Sequence, residues 1–104
     1  MSNGPRSTYE IPKKKYYGVS DTSFVTGDSP VTLDVNTTLG RNSVDGYIIN
    51  DGAGTFTVNL SVDGSTFGND ILMKVGESLS LRALDIDSIK ITWIADSAYR
   101  VFAV

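Results

Sequence analysis

The stretch TFTVNLSV, residues 55–62, alternates Phe56, Val58, Leu60 and Val62 with Thr55, Thr57, Asn59 and Ser61. Side chains of an extended chain point to opposite sides in turn, so this period predicts a strand with an apolar face on a core and a polar face in water. Asp51-Gly52-Ala53-Gly54 precedes it and Asp63-Gly64-Ser65 follows. Both are rich in residues that accept positive φ, which predicts a hairpin or short loop on each side.

Working outward, the preceding strand falls at 45–50, around Tyr47, Ile48 and Ile49. Downstream come ILMKV at 71–75, a Gly76-Glu77 turn, and SLSLRAL at 78–84, which turns Leu79 and Leu81 inward. SIKITWIA at 88–95 puts Ile89, Ile91 and Trp93 on one face, which places Trp93 with the core. Upstream, Val31, Leu33 and Val35 alternate with Thr32 and Asp34, and Ser23–Val25 adds a short strand. Turn signals recur about every eight to twelve residues and no helix is predicted. The expectation is an all-β protein: an antiparallel, jelly-roll-like β-sandwich of about seven or eight strands.

The last strand, AYRVFAV, carries Tyr99, Val101 and Ala103 on one face and Phe102 and Val104 on the other. Two readings stay open. Either it is a central strand covered on both sides within one sandwich, or Phe102 and Val104 pack against a neighbouring subunit. The first carries more weight, and a sequence that finishes on an apolar strand mildly favours the second.

Length and composition bound the chemistry. One domain is all that 104 residues support. Hydrophobic residues are 40% and charged residues 20%, below the average of about 25%, so a folded chain with a neutral surface is expected. With no cysteine and no histidine, disulfides, thiolate and imidazole metal sites, thiol nucleophiles and Ser-His-Asp triads are excluded. Asp85 and Asp87 share a face if extended, as a carboxylate pair would, but they read better as solvated acids of a connection with Ile86 tucked inward. Oxygen ligands for calcium exist at Asp63, Asp70, Asp85 and Asp87, but the spacing is not that of an EF-hand and a metal-free turn is expected. No base stands beside a Ser or Thr, and the glycines at 52 and 54 lie between strands, not at a helix start. No enzyme activity, cofactor or metal is therefore expected.

Charge divides the chain. Residues 1–20 hold Arg6, Lys13, Lys14 and Lys15 against Glu10, a net +3, while residues 21–104 hold five cations against eleven acids, a net −6. Residues 1–20, with Gly4, Pro5 and Pro12 and no apolar period, read as an extended basic arm, and residues 21–104 as the sandwich. The segment KKKYY, 13–17, joins three cations to two aromatics, but the acidic body repels nucleic acid, so an acidic protein surface is the expected partner. A neighbouring copy supplies such a surface. No apolar h-region opens the sequence and no run is long enough to span a bilayer, so neither a signal peptide nor a membrane partner is expected. Tyr47, Phe67, Trp93 and Tyr99 are the aromatics that a glycan-binding face would use. Phe67, between Ser65-Thr66 and Gly68, is expected either at an exposed loop tip or as a plug in one end of the sandwich.

The stretches DGAGTFTVNLSVDGSTFGNDILMKVGESLSL, 51–81, and IDSIKITWIADSAYRVFAV, 86–104, resemble small β-sandwich structural proteins of tailed-bacteriophage particles. The resemblance covers about half the chain and includes no catalytic motif. It implies a non-enzymatic virion protein made in the host cytoplasm: a decoration or cement protein on the head surface, or a neck, tail or fibre piece. It also implies a homo-oligomer, a trimer by preference, docked on the major capsid protein or another virion protein. Arg6, Lys13, Lys14 and Lys15 would then meet an acidic patch, and Tyr9, Ile11, Tyr16 and Tyr17 would supply apolar contacts. A carbohydrate-binding module, with Phe67 in its ligand loop, is the alternative.

Overall fold

A computed structural model of the protein describes residues 15–104. Eight strands follow in chain order: β1 (Tyr17–Phe24), β2 (Val31–Asp34), β3 (Gly46–Asn50), β4 (Phe56–Ser61), β5 (Ile71–Met73), β6 (Ser78–Ser80), β7 (Ser88–Trp93) and β8 (Ser97–Ala103). A one-turn helix, α1 (Val35–Leu39), leaves β2, and a single 3-10 turn spans Thr26–Asp28.

The strands form two four-stranded antiparallel sheets. Sheet 1 has the order β1-β8-β3-β6 and sheet 2 the order β2-β7-β4-β5. Strands β1 and β8, β2 and β7, β3 and β6, and β4 and β5 therefore pair in turn. This nesting of first with last is the jelly roll, in which one long hairpin is wound so that alternate pairs fall in opposite sheets.

Between the sheets lies one apolar core. Ile48, Phe56, Val58, Leu81, Ile89 and Ile91 are fully buried in it. Phe24, Phe56 and Tyr99 meet edge to face, with centroids 5.4 to 6.3 Å apart. Burial pushes the Tyr99 hydroxyl up to about 12, helped by the nearby charge of Asp21.

Three local expectations need correction. Residues 17–20, which composition assigns to the arm, are the first half of β1, because Tyr17 and Val19 alternate with Gly18 and Ser20 and pack on the core. Val35 does not extend β2. The Asp34 carboxylate accepts hydrogen bonds from the Thr37 N–H (3.1 Å) and hydroxyl (2.7 Å), capping a helical turn that Gly40 ends with φ 75°. The polar face of β4 is not solvated along its length either: Asn59 and Ser61 are buried, while Val62, beyond the strand, is 60% exposed. The 62–70 loop folds back over that face, with the Gly68 N–H donating to the Leu60 carbonyl (2.9 Å). Asn59 Nδ2 in turn donates to the Gly68 carbonyl (2.9 Å) and to Asp70 (2.7 Å).

Candidate interaction face

The outer face of sheet 1 carries the largest grouping of exposed aromatics among the described residues. Its cross-strand row is set by register: Gly18 on β1 stands opposite Phe102 on β8, Phe102 opposite Tyr47 on β3, and Tyr47 opposite Ser80 on β6. Tyr47 stacks on Phe102 at 5.7 Å and 27°, and Tyr16, just before β1, stacks on its other side at 6.0 Å and 25°. The Tyr16 ring lies over Gly18, within van der Waals distance of where a β-carbon would stand. Tyr16 is 64% exposed and Tyr47 39%, so the stripe is an open platform.

Local backbone holds the stripe in place. Gly46, at φ 143°, enters β3 directly beside β8, and a β-carbon there would overlap the Phe102 carbonyl oxygen. The final residue is tied in as well: the Val104 N–H donates to the Asp45 carbonyl (2.9 Å), and its own carbonyl accepts from the Val44 and Asp45 N–H groups. Along the face from the stripe, Arg100 pairs with Asp51 at 3.1 Å, both partly exposed.

The sequence-predicted site residues fall in several places. Arg6, Tyr9, Ile11, Lys13 and Lys14 lie outside the described residues. Lys15 is exposed with its Nζ beside Gly40. Tyr17 belongs to the inner side of β1, half-buried against the core, where burial and the Asp34 charge raise its hydroxyl above the ordinary range. It is thereby removed from the arm's set of contacts. Phe102 lies on the outer face, with its two sides taken by Tyr16 and Tyr47 of its own chain. The strand that bears it is central in sheet 1, flanked by β1 and β3.

Phe67 fits neither expectation made for it. It lies half-buried on the outer face of sheet 2 with Lys90 Nζ 4.8 Å from its ring centroid, because Lys90 is the cross-strand neighbour of Asn59, which anchors the same loop. It is thus neither a free tip nor an end plug.

Three of the four carboxylates considered for chemistry, Asp63, Asp70 and Asp87, are spent on local structure, and Asp85 is exposed. Asp63 Oδ1 accepts from the Thr66 N–H (2.8 Å), the Ser65 N–H (2.9 Å) and the Ser61 hydroxyl (3.0 Å). Those bonds hold its carboxyl at about 2. Asp70 accepts from Asn59, and Asp87 Oδ1 from the Ser88 hydroxyl (2.7 Å). Ile86, between Asp85 and Asp87, is buried as expected and bridges to Ser43. Among the described residues no three acids gather where they would hold a metal ion.

Sequence reasoning named Tyr16, Tyr47 and Phe102 separately and missed that they form one stripe. The only signal for it was parity: Tyr47 and Phe102 are on the outward sides of their strands and Tyr16 keeps the outward parity of β1 just before it, but the strand order that makes them neighbours is not local information. Comparison with protein-family models, with curated proteins and with solved structures finds no match for the chain.

Proposed function

We propose that this chain is a non-enzymatic structural binding protein, an accessory protein of a virus particle, that docks through its basic N-terminal segment and the Tyr16–Phe102–Tyr47 stripe. The observation that carries the reading is the position of that stripe. It begins at Tyr16, which directly follows the Lys13-Lys14-Lys15 run in the sequence, so the basic segment leads along the chain into the aromatic stripe. Aromatic anchors of this kind supply most of the affinity at docking surfaces, while the surrounding charges set orientation and approach. The +3 segment suits an acidic partner. Two arguments direct the reading to a virion: the likeness of 51–104 to tailed-phage particle proteins, and the jelly-roll order, which viral capsid domains share. On this reading the decoration or cement role on the head is favoured over the neck, tail or fibres.

The test is attachment. Particles from the source are purified, stripped of this protein and re-bound with full-length protein or with protein lacking residues 1–15. Full-length protein re-binds in hundreds of copies per particle, and the truncated protein stays folded but unbound. Equal binding by both proteins would remove the segment from the docking surface, and absence of the protein from particles would remove the virion. A glycan-binding module is the second reading, favoured by exposed Tyr47 and by the use of the same topology in lectins. Binding of purified protein to a glycan, lost in Tyr47→Ala, would establish it instead.

A further inference from the structure

Among the described residues four strands are sheet edges: β1 and β6 in sheet 1, β2 and β5 in sheet 2. Three are short, with three residues in β5 and β6 and four in β2, which follows Pro30. Strand β1 has eight, and it contains no Lys, Arg or Pro. Short length, edge cations, prolines and β-bulges are devices that keep sheet edges from pairing; β1 lacks the first three, and its one irregularity falls after Asp21, beyond residues 17–21.

The direction of the hydrogen-bonding groups that β1 leaves unpaired among the described residues follows from the ladder. Asp45 and Val104 exchange both backbone hydrogen bonds, at 3.2 and 2.9 Å, and the Asp51 N–H donates to the Ala98 carbonyl in the same register. Bonding direction alternates along an antiparallel strand, so residues 98, 100, 102 and 104 bond toward β3, while 99, 101 and 103 bond toward β1. Their partners are Asp21, Val19 and Tyr17. Gly18 and Ser20 therefore present N–H and carbonyl groups outward at the edge, and both are exposed, with no side chain at Gly18 and a small one at Ser20.

The geometry points to β1 as the strand through which two copies of this chain join, edge to edge and antiparallel. The regular part of β1 is residues 17–21, since its register shifts between Asp21 and Phe24, and its midpoint is Val19. A twofold axis at Val19 sets Gly18 opposite the second copy's Ser20 in two doubly hydrogen-bonded pairs. It also sets Val19 opposite Val19 and Tyr17 opposite Asp21, with no like charges facing. A β-branched apolar pair at the centre and matched free groups on both sides make the edge complementary to itself. The product is one eight-stranded sheet with both aromatic stripes on the same outer side, which doubles the docking surface. The inference goes beyond the proposed docking role: where the resemblance implies a homo-oligomer, a trimer by preference, it gives a twofold pair. It is tested without any particle, so it stands or falls separately from attachment.

The chain has no cysteine, which makes single-cysteine crosslinking clean. Opposed residues of a non-hydrogen-bonded pair have Cα atoms about 4.5 Å apart, within disulfide reach. Full-length Val19→Cys is therefore expected to form a disulfide-linked dimer on mild oxidation, while Ser80→Cys on the opposite edge of sheet 1 is not. Adding Ser20→Pro removes an outward N–H without touching the β8 ladder, so it abolishes the link while the unfolding transition persists. Sedimentation equilibrium of the unmodified protein shows a monomer–dimer equilibrium that Ser20→Pro shifts to monomer. Equal linking of Val19→Cys and Ser80→Cys, or a wild-type monomer throughout, overturns the inference. So does linking that emerges only after residues 1–14 are removed, since the chain's own N-terminal segment would then be the occupant.

Discussion

Replacing Asn50 tests how the sandwich is closed where β3, β5 and β8 meet. Asn50 is buried, and all four of its amide positions are used. Nδ2 donates to the carbonyls of Gly54 (2.8 Å) and Met73 (2.9 Å), and Oδ1 accepts from the Gly52 N–H (3.1 Å) and the Ser97 hydroxyl (2.9 Å). A typical hydrogen bond contributes about 1 kcal/mol net, and a buried group left without a partner costs about 1–3 kcal/mol. Ser97 keeps its bond to the Gly54 carbonyl at 2.7 Å, so those two groups are not stranded in Asn50→Ala. The expected loss is then about 3–5 kcal/mol, a large fraction of the roughly 5–15 kcal/mol of a domain this size. At about 4–8 °C per kcal/mol the melting temperature falls by at least about 12 °C. Urea unfolding at neutral pH measures the loss directly. Asn50→Asp sharpens the test, because its second carboxylate oxygen would face two carbonyl oxygens in a buried site, which raises the folded-state pKa of the new acid. Its penalty is therefore smallest below the unfolded value, near pH 4, and grows by about 1.4 kcal/mol per pH unit above it until the folded value is reached. A loss under about 1 kcal/mol for alanine, or a pH-independent penalty for aspartate, would refute the reasoning.

Other expectations follow from the same geometry. Tyr16→Ala, at an exposed residue, costs about 1 kcal/mol of stability or less yet weakens docking by about 2 kcal/mol or more, as titration calorimetry against the partner would show; equal losses in both would make the stripe structural. Asp63→Asn lowers the unfolding midpoint above about pH 4, and the gap from wild type closes as pH falls toward about 2, since a carboxyl depressed in the fold stabilises only while ionised; a gap constant with pH would show that the Asp63 charge is immaterial. Phe67→Ala costs about 1–2 kcal/mol in chemical denaturation, short of the roughly 3–5 kcal/mol of a core phenylalanine, and a core-sized loss would place it inside the sandwich. Gly46→Ala loses most of its folded population by circular dichroism, because the Phe102 carbonyl occupies the β-carbon's place; near-wild-type stability would contradict the Gly46 geometry.

Strand existence, strand faces and the all-β class were written in the sequence, because they depend on alternation and turn chemistry within a few residues. Phe56 and Val58, Ile89 and Ile91, and Tyr99, Val101 and Ala103 all lie inward as their parity requires. The elements that escaped are those decided by contacts far apart in the chain. Asn59 and Ser61 look solvent-facing from alternation alone, and only the returning 62–70 loop buries them. Tyr17 looks like the end of a basic arm, and only pairing with Ala103 makes it a strand residue. The exclusion of histidine and cysteine chemistry came from composition alone. The candidate face did not, since Tyr16, Tyr47 and Phe102 come from three separate segments, and only the strand order of sheet 1 sets them side by side. Periodicity decides which way a side chain points, whereas its neighbours are decided by the nesting of first strand with last, which no local pattern encodes.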